Sequence, residues 1–119
     1  MAFLAMCLIG ASALHTRDLL RHGWLPYRFA PFALNAYWTS LTFLNLLAAI
    51  LLLWRPCAGL LLALLIIASD VALNLFARFG LGLNLHPLPL LLQILFLIAV
   101  IAAMFYIRPC GDAAHLTNR

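Results

Sequence analysis

The sequence contains no lysine and no glutamate, and only 8% of its 119 residues are charged. The ten charges are seven arginines and three aspartates, whereas 67% of the residues are hydrophobic. In a soluble domain roughly a quarter of the residues are charged, and they cover its surface with groups that water solvates. Such a composition excludes a soluble domain and indicates an integral membrane protein. The arginines stand singly beside apolar runs and form no basic face, so we expect no nucleic-acid partner.

Motifs for catalysis are also missing. The three cysteines form no Cys-x-x-Cys pair, the four histidines have no metal-site spacing, and no glycine-rich nucleotide loop is present. We therefore expect neither a metal nor a cofactor. An enzyme is the least favoured class, because acid–base catalysis usually needs a second positioned group.

Four apolar segments predict transmembrane helices near residues 1–14, 33–54, 58–79 and 88–107, followed by a tail at 108–119. The last three have 20 to 22 residues, and about 20 residues span a hydrocarbon core of roughly 30 Å. The first is short, so a cleaved signal peptide and a span that starts further upstream stay open. We favour a transmembrane helix, because no basic residue precedes the segment. The predicted fold is all-α: a single membrane domain, with four helices in a bundle and one long interfacial loop.

The loop at residues 15–32 holds three arginines together with Trp24 and Tyr27. These residue types favour the headgroup region, so the loop is expected to lie on the membrane surface, and a lid over a cavity is the alternative. Arg55-Pro56-Cys57 and Arg108-Pro109-Cys110 end the second and fourth spans. We interpret both as a snorkelling arginine followed by a helix-ending proline, and pairing of the two cysteines stays open. We expect a bacterial inner-membrane protein and favour cytoplasmic termini, although the arginines divide almost evenly between the two sides.

Asp70 lies near the middle of the third span. A central aspartate costs about 2.5–3.5 kcal/mol on insertion, while the twelve Leu, Ile, Val and Phe residues of this span return about 4–7 kcal/mol. The helix can insert, but Asp70 should face protein, water or a ligand and not lipid. Arg78 lies about 12 Å further along the axis, too far for direct contact unless its side chain folds back.

Further polar residues of the second span lie on one face at helical spacing, and Asn35 belongs to this stripe. Counted outward from Pro56, Thr42 is level with Asp70, and Trp38 is level with Asn74. Helix–helix hydrogen bonds explain Asn45 and Gln93 without a ligand, whereas Asp70 favours a functional site. The candidate ligand-binding residues are Trp38, Thr42, Asn45, Asp70, Asn74 and Gln93.

The order of a first span, a long outer loop, a tight hairpin of spans and a last span resembles the membrane fold of the emopamil-binding and sigma-2 receptor group. It is equally similar to the DoxX-type proteins. The likeness covers the topology of most of the chain and includes no aligned motif. Sterol isomerases of the first group use several intramembrane acids, and this chain has one, so the resemblance implies no catalytic residue here.

Three classes of function fit these observations. The favoured hypothesis is a protein that binds a hydrophobic small molecule or a lipid in an intramembrane pocket, where Asp70 meets a cationic or hydroxyl group. The second is an accessory or assembly subunit that binds a partner membrane protein. The third is a homo-oligomeric transporter coupled to protons or ions through Asp70.

Overall fold

The computed structural model describes residues 1–106, and within them it contains four long helices and no strand. Helix α1 covers Ala2–His22, α2 covers Phe32–Trp54, α3 covers Pro56–Leu75 and α4 covers Pro87–Tyr106. A π-helical turn, Phe76–Gly80, continues α3 without a break. All four helices are long and apolar enough to cross a membrane. The all-α four-helix membrane bundle predicted from the sequence is therefore confirmed, and the chain has the features of a multi-pass membrane protein.

Prolines set several helix boundaries. Pro31 precedes α2, while Pro56 and Pro87 open α3 and α4, where the missing N–H costs no intrahelical hydrogen bond. Only Arg55 separates α2 from α3, so these helices form the predicted antiparallel hairpin. The fourth span was expected to end at residue 107, which lies outside the described residues, as does the Arg-Pro-Cys motif at 108–110 with its cysteine pairing.

The first helix is longer than the sequence predicted. The apolar run ends at Leu14, but α1 continues for two further turns and ends at His22, before Gly23. The connecting loop is thus 23–31 and not 15–32. The extra turns remain helical because one face of them packs inside the protein: His15 and Asp18 are half-buried, while Arg17 and Arg21 are exposed. The length of an apolar run in the sequence does not indicate an amphipathic helix end of this kind.

Each helix packs against the next one along the chain. Small residues allow α2 and α3 to approach closely: Ala48, Ala49 and Ala63 are at most 1% exposed, and Gly59 lies against the backbone of Leu52. Such residues are typical of membrane helix contacts, where van der Waals packing replaces the hydrophobic effect. In α4, by contrast, Val100 is the one fully buried residue, so most of that helix faces outward.

We predict that Gly59→Ala destabilises the bundle. A Cβ atom at this position would lie 2.6 Å from the Leu52 Cα atom, so the α2–α3 hairpin would have to open, at a cost of about 1–3 kcal/mol. Gly10→Ala is the matched control, since its Cβ would meet no atom within 4 Å and alanine favours a helix by up to about 1 kcal/mol. Thermal unfolding in one mild detergent should give the highest melting temperature for Gly10→Ala, an intermediate one for wild type and the lowest for Gly59→Ala. Equal melting temperatures for the two variants would contradict the close helix contact.

Candidate functional site

The side chain of Asn74 connects three helices. Its Nδ2 atom donates to Asp70 Oδ1 at 3.1 Å and to Gln93 Oε1 at 2.7 Å, while its Oδ1 atom accepts from Trp38 Nε1 at 2.9 Å. Both amide hydrogens and the carbonyl oxygen are therefore used. The sequence prediction that α2, α3 and α4 bring polar groups to one height is met by these four residues.

Asp70 is buried, with 6% of its surface exposed. Among the described residues its carboxyl group has one hydrogen-bond partner, Asn74, and that bond uses Oδ1. The carboxyl group therefore has remaining acceptor capacity, which a buried polar group normally satisfies with protein, water or a ligand.

A second polar cluster ties the first loop to α1. The Tyr27 hydroxyl donates to Asp18 Oδ2 at 2.9 Å and lies 2.7 Å from His15 Nδ1. A tyrosine hydroxyl has one hydrogen, so while it donates to Asp18, the Nδ1 atom of His15 must be the donor in the second contact. Burial raises the pKa of Tyr27, and the hydrogen bond to Asp18 raises it further, so Tyr27 keeps its hydrogen at physiological pH.

Asn35, at the start of α2, holds the same loop from the other side. Its Oδ1 atom accepts from the backbone N–H of Tyr27, and its Nδ2 atom donates to the carbonyl oxygen of Leu25, both at 3.0 Å. Leu25 has φ 55°, a left-handed conformation that is unfavourable for a leucine and persists only where neighbouring contacts fix it. The Tyr27 ring then packs edge-on against Trp38, with centroids 5.6 Å apart. The loop is thus fixed over one end of the bundle.

These two clusters border a cavity of about 250 Å³ at the first-loop end of the bundle. All four helices and the loop contribute to its wall, and Phe29, which is 61% exposed, lies at its outer edge. The lining residues are His15, Asp18, Tyr27, Phe29, Trp38, Asp70, Asn74, Arg78, Leu85, His86, Pro89, Leu90 and Gln93.

Arg78 lines this cavity and lies within the π turn Phe76–Gly80. In an uninterrupted α-helix Arg78 would lie about 80° around the axis from Asp70. A π turn, which is marked here by the N–H of Leu81 bonding to the carbonyl oxygen of Phe76 at 3.0 Å, is wider and changes this angle. Its Nη1 atom donates to the Leu85 carbonyl oxygen at 2.7 Å. Within residues 1–106 it forms no ion pair.

Two of the six candidate residues do not reach the cavity. Thr42 does not line the cavity. Its backbone carbonyl oxygen accepts from the Ser12 hydroxyl of α1 at 2.6 Å, and its own buried hydroxyl has no partner in the described chain. Asn45 is buried about 10 Å deeper than Trp38. Equal depth or a shared helix face alone therefore did not predict contact, and the assignment of these two residues to the cavity is corrected.

Several cavity residues were not chosen from the sequence. His15 and Asp18 were placed in a loop because the apolar run ended before them, and Arg78 was considered only for its distance from Asp70 along the helix axis. The spacing of Ser12, His15, Asp18 and His22 is helical and could have indicated that α1 continues. Tyr27 was recognised only as an interfacial residue.

Fold and cavity together define a four-helix membrane protein with a cavity that contains several polar groups and is bordered by the first loop. No protein-family model, no characterised protein and no solved structure matches the chain.

We predict that Asn74→Leu destabilises the bundle by about 1–3 kcal/mol, because it leaves Trp38 Nε1 and Gln93 Oε1 without their partner. Asn84→Leu is the matched control, since Asn84 is exposed and makes no side-chain hydrogen bond among the described residues. Thermal unfolding in the same detergent should show a lower melting temperature for Asn74→Leu alone. An unchanged melting temperature would mean that the Asn74 hydrogen bonds contribute nothing to the association of α2, α3 and α4.

Proposed function

We propose that the protein binds a hydrophobic small molecule or a lipid whose polar group, a hydroxyl or a cation, enters the cavity and meets Asp70. The observation that carries this proposal is the environment of the Asp70 carboxyl group: it is buried, it borders a cavity, and one described residue bonds to it. An aspartate in the membrane is costly, so its presence calls for a partner or a function.

Helix association alone does not account for Asp70. Asn74 already connects α2, α3 and α4, and a neutral amide at position 70 could accept the same hydrogen bond at lower insertion cost. A carboxyl group adds what an amide lacks, namely the capacity to carry a negative charge and so to attract a cation. The extra cost of Asp70 is therefore better explained by a bound group than by helix packing.

The wall of the cavity fits an amphiphilic ligand. Phe29, Leu85, Pro89 and Leu90 supply apolar surface near the opening, while the polar groups lie among the helices. Ligand sites combine a mostly apolar wall with a few placed polar groups in this way. A volume of about 250 Å³ suits a small molecule or one end of a longer amphiphile.

The exposed length of α4 favours a second candidate function. With Val100 as its one fully buried residue, α4 could pack against a partner membrane subunit, or against a second copy in an oligomeric transporter. A stable hetero-complex in mild detergent would support an assembly subunit, and proton-coupled uptake into liposomes would support the transporter.

The location that we propose is a bacterial inner membrane with both termini on the cytoplasmic side. Four spans place both termini on one side, and Arg55 lies at the same side, in the α2–α3 turn. An arginine in a short turn favours the cytoplasmic face.

We predict that Asp70→Asn leaves folding intact or improved but abolishes retention of the ligand. Asparagine has nearly the same shape and can still accept from Asn74, but it cannot carry a charge. Asp70→Leu should lose the ligand and also lower the melting temperature, because one amide hydrogen of Asn74 loses its acceptor. Native mass spectrometry of protein extracted in mild detergent measures the retained adduct, and thermal unfolding measures stability.

Thr42→Val serves as the control, because it removes a polar group at the depth of Asp70 that lies outside the cavity. This variant should keep the adduct and should be at least as stable as wild type. If wild type retains no adduct beyond bulk lipid, or if Asp70→Asn retains as much as wild type, then Asp70 serves helix packing only and the proposal is wrong.

A further inference from the structure

A second concave surface lies on the outside of the bundle, between α1 and α2, with a volume of about 570 Å³. Its inner part is apolar and is formed by Ile9, Ala13 and Leu46, while Arg17 and Arg21 stand at the end nearest the first loop. The two arginines are one turn apart on α1. From Ile9 to Arg21 the surface follows α1 for about 18 Å.

The charges of this groove have no counter-charge in the described chain. Arg17 and Arg21 are exposed, and neither forms a hydrogen bond or an ion pair with any residue of 1–106. Asp18, the acid nearest to them in sequence, is engaged on the other side of α1 by the Tyr27 hydroxyl. The groove therefore presents two permanent positive charges and lacks an acid of its own.

The position of these charges selects the kind of group that would neutralise them. Both arginines lie at the end of a membrane-spanning helix, next to the loop that carries Trp24, which is 67% exposed. Tryptophan and arginine at a span end mark the depth of lipid headgroups. Below this level the groove is apolar and faces hydrocarbon, which excludes a free ion there but suits an acyl chain.

We propose that this groove, defined by Ile9, Ala13, Thr16, Arg17, Arg21 and Leu46, is a binding site for an anionic phospholipid. The phosphate group lies between the guanidinium groups of Arg17 and Arg21, and one acyl chain runs along Ala13 and Ile9 towards the membrane centre. Paired arginines suit this role because each guanidinium group presents several donors to phosphate oxygens. The site is separate from the inner cavity and does not depend on the function proposed for Asp70.

The test uses protein in nanodiscs that contain equal amounts of phosphatidylglycerol and phosphatidylcholine with the same acyl chains, followed by native mass spectrometry of the retained lipids. We expect wild type to retain phosphatidylglycerol preferentially. Each arginine near an anionic headgroup contributes about fivefold in affinity, so the double variant Arg17→Gln/Arg21→Gln should weaken retention of phosphatidylglycerol about 25-fold. Arg28→Gln/Arg55→Gln removes the same net charge from exposed positions outside the groove and should leave retention unchanged.

A second variant examines the apolar part without changing any charge. Ala13→Phe fills the groove and should lower retention of phosphatidylglycerol, whereas Ala72→Phe, an equal enlargement at an exposed position of α3, should not. Added inorganic phosphate should not displace the lipid. The proposal is overturned if both lipids are retained equally, if the Arg17/Arg21 variant behaves as wild type, or if inorganic phosphate competes, since that would identify a site for a free anion.

Discussion

The hydrocarbon core of a membrane offers no hydrogen bonds, so a buried amide must find all of its partners within the protein. Asn74 does so by donating to Asp70 and Gln93 and accepting from Trp38. Through this one side chain α2, α3 and α4 are held at a common height. The polar wall of the inner cavity exists only in that arrangement, because sliding one helix by a turn would separate Trp38 or Gln93 from Asn74 by about 5 Å. The remaining polar contacts close the cavity that this arrangement creates.

Closure is achieved by irregular backbone at the first-loop end. Leu25 adopts a left-handed conformation that Asn35 fixes through the Leu25 carbonyl group, and this brings Tyr27 over the cavity. The π turn that continues α3 contains Arg78, which also lines the cavity. Distorted turns of this kind often occur at functional sites, since regular helices are available at lower cost. Tyr27, two residues after Leu25, and Arg78, within the π turn, line the same cavity, which supports the view that the cavity is the functional part of the molecule.

The sequence predicted those features that depend on run length and on helical depth. Apolar lengths gave the four helices, and counting from Pro56 placed Trp38 level with Asn74, which are hydrogen-bonded in the structure. The depth of Thr42 did not predict its contacts correctly, because the depth of a residue does not say which neighbouring helix its side chain faces. The predicted end of α1 lay too early in the chain. The turns beyond the apolar run are polar, and whether they remain helical depends on which parts of the protein cover them. The π turn at residues 76–80 was not predicted, and no residue pattern in that segment indicates it.

Helix α1 separates two surfaces of unlike charge, although the residues involved are neighbours in sequence. Successive residues of a helix point about 100° apart, so Asp18 faces the inner cavity while Arg17 faces the outer groove. Inside, Asp18 and Asp70 line the cavity together with Arg78, and the proposed partner of Asp70 there is a hydroxyl or a cation. Outside, Arg17 and Arg21 disfavour a cation. Exclusion of the wrong partner contributes to specificity as much as attraction of the right one does. The charge pattern of the two surfaces therefore agrees with the two proposals, an anionic lipid in the outer groove and a neutral or cationic ligand in the inner cavity.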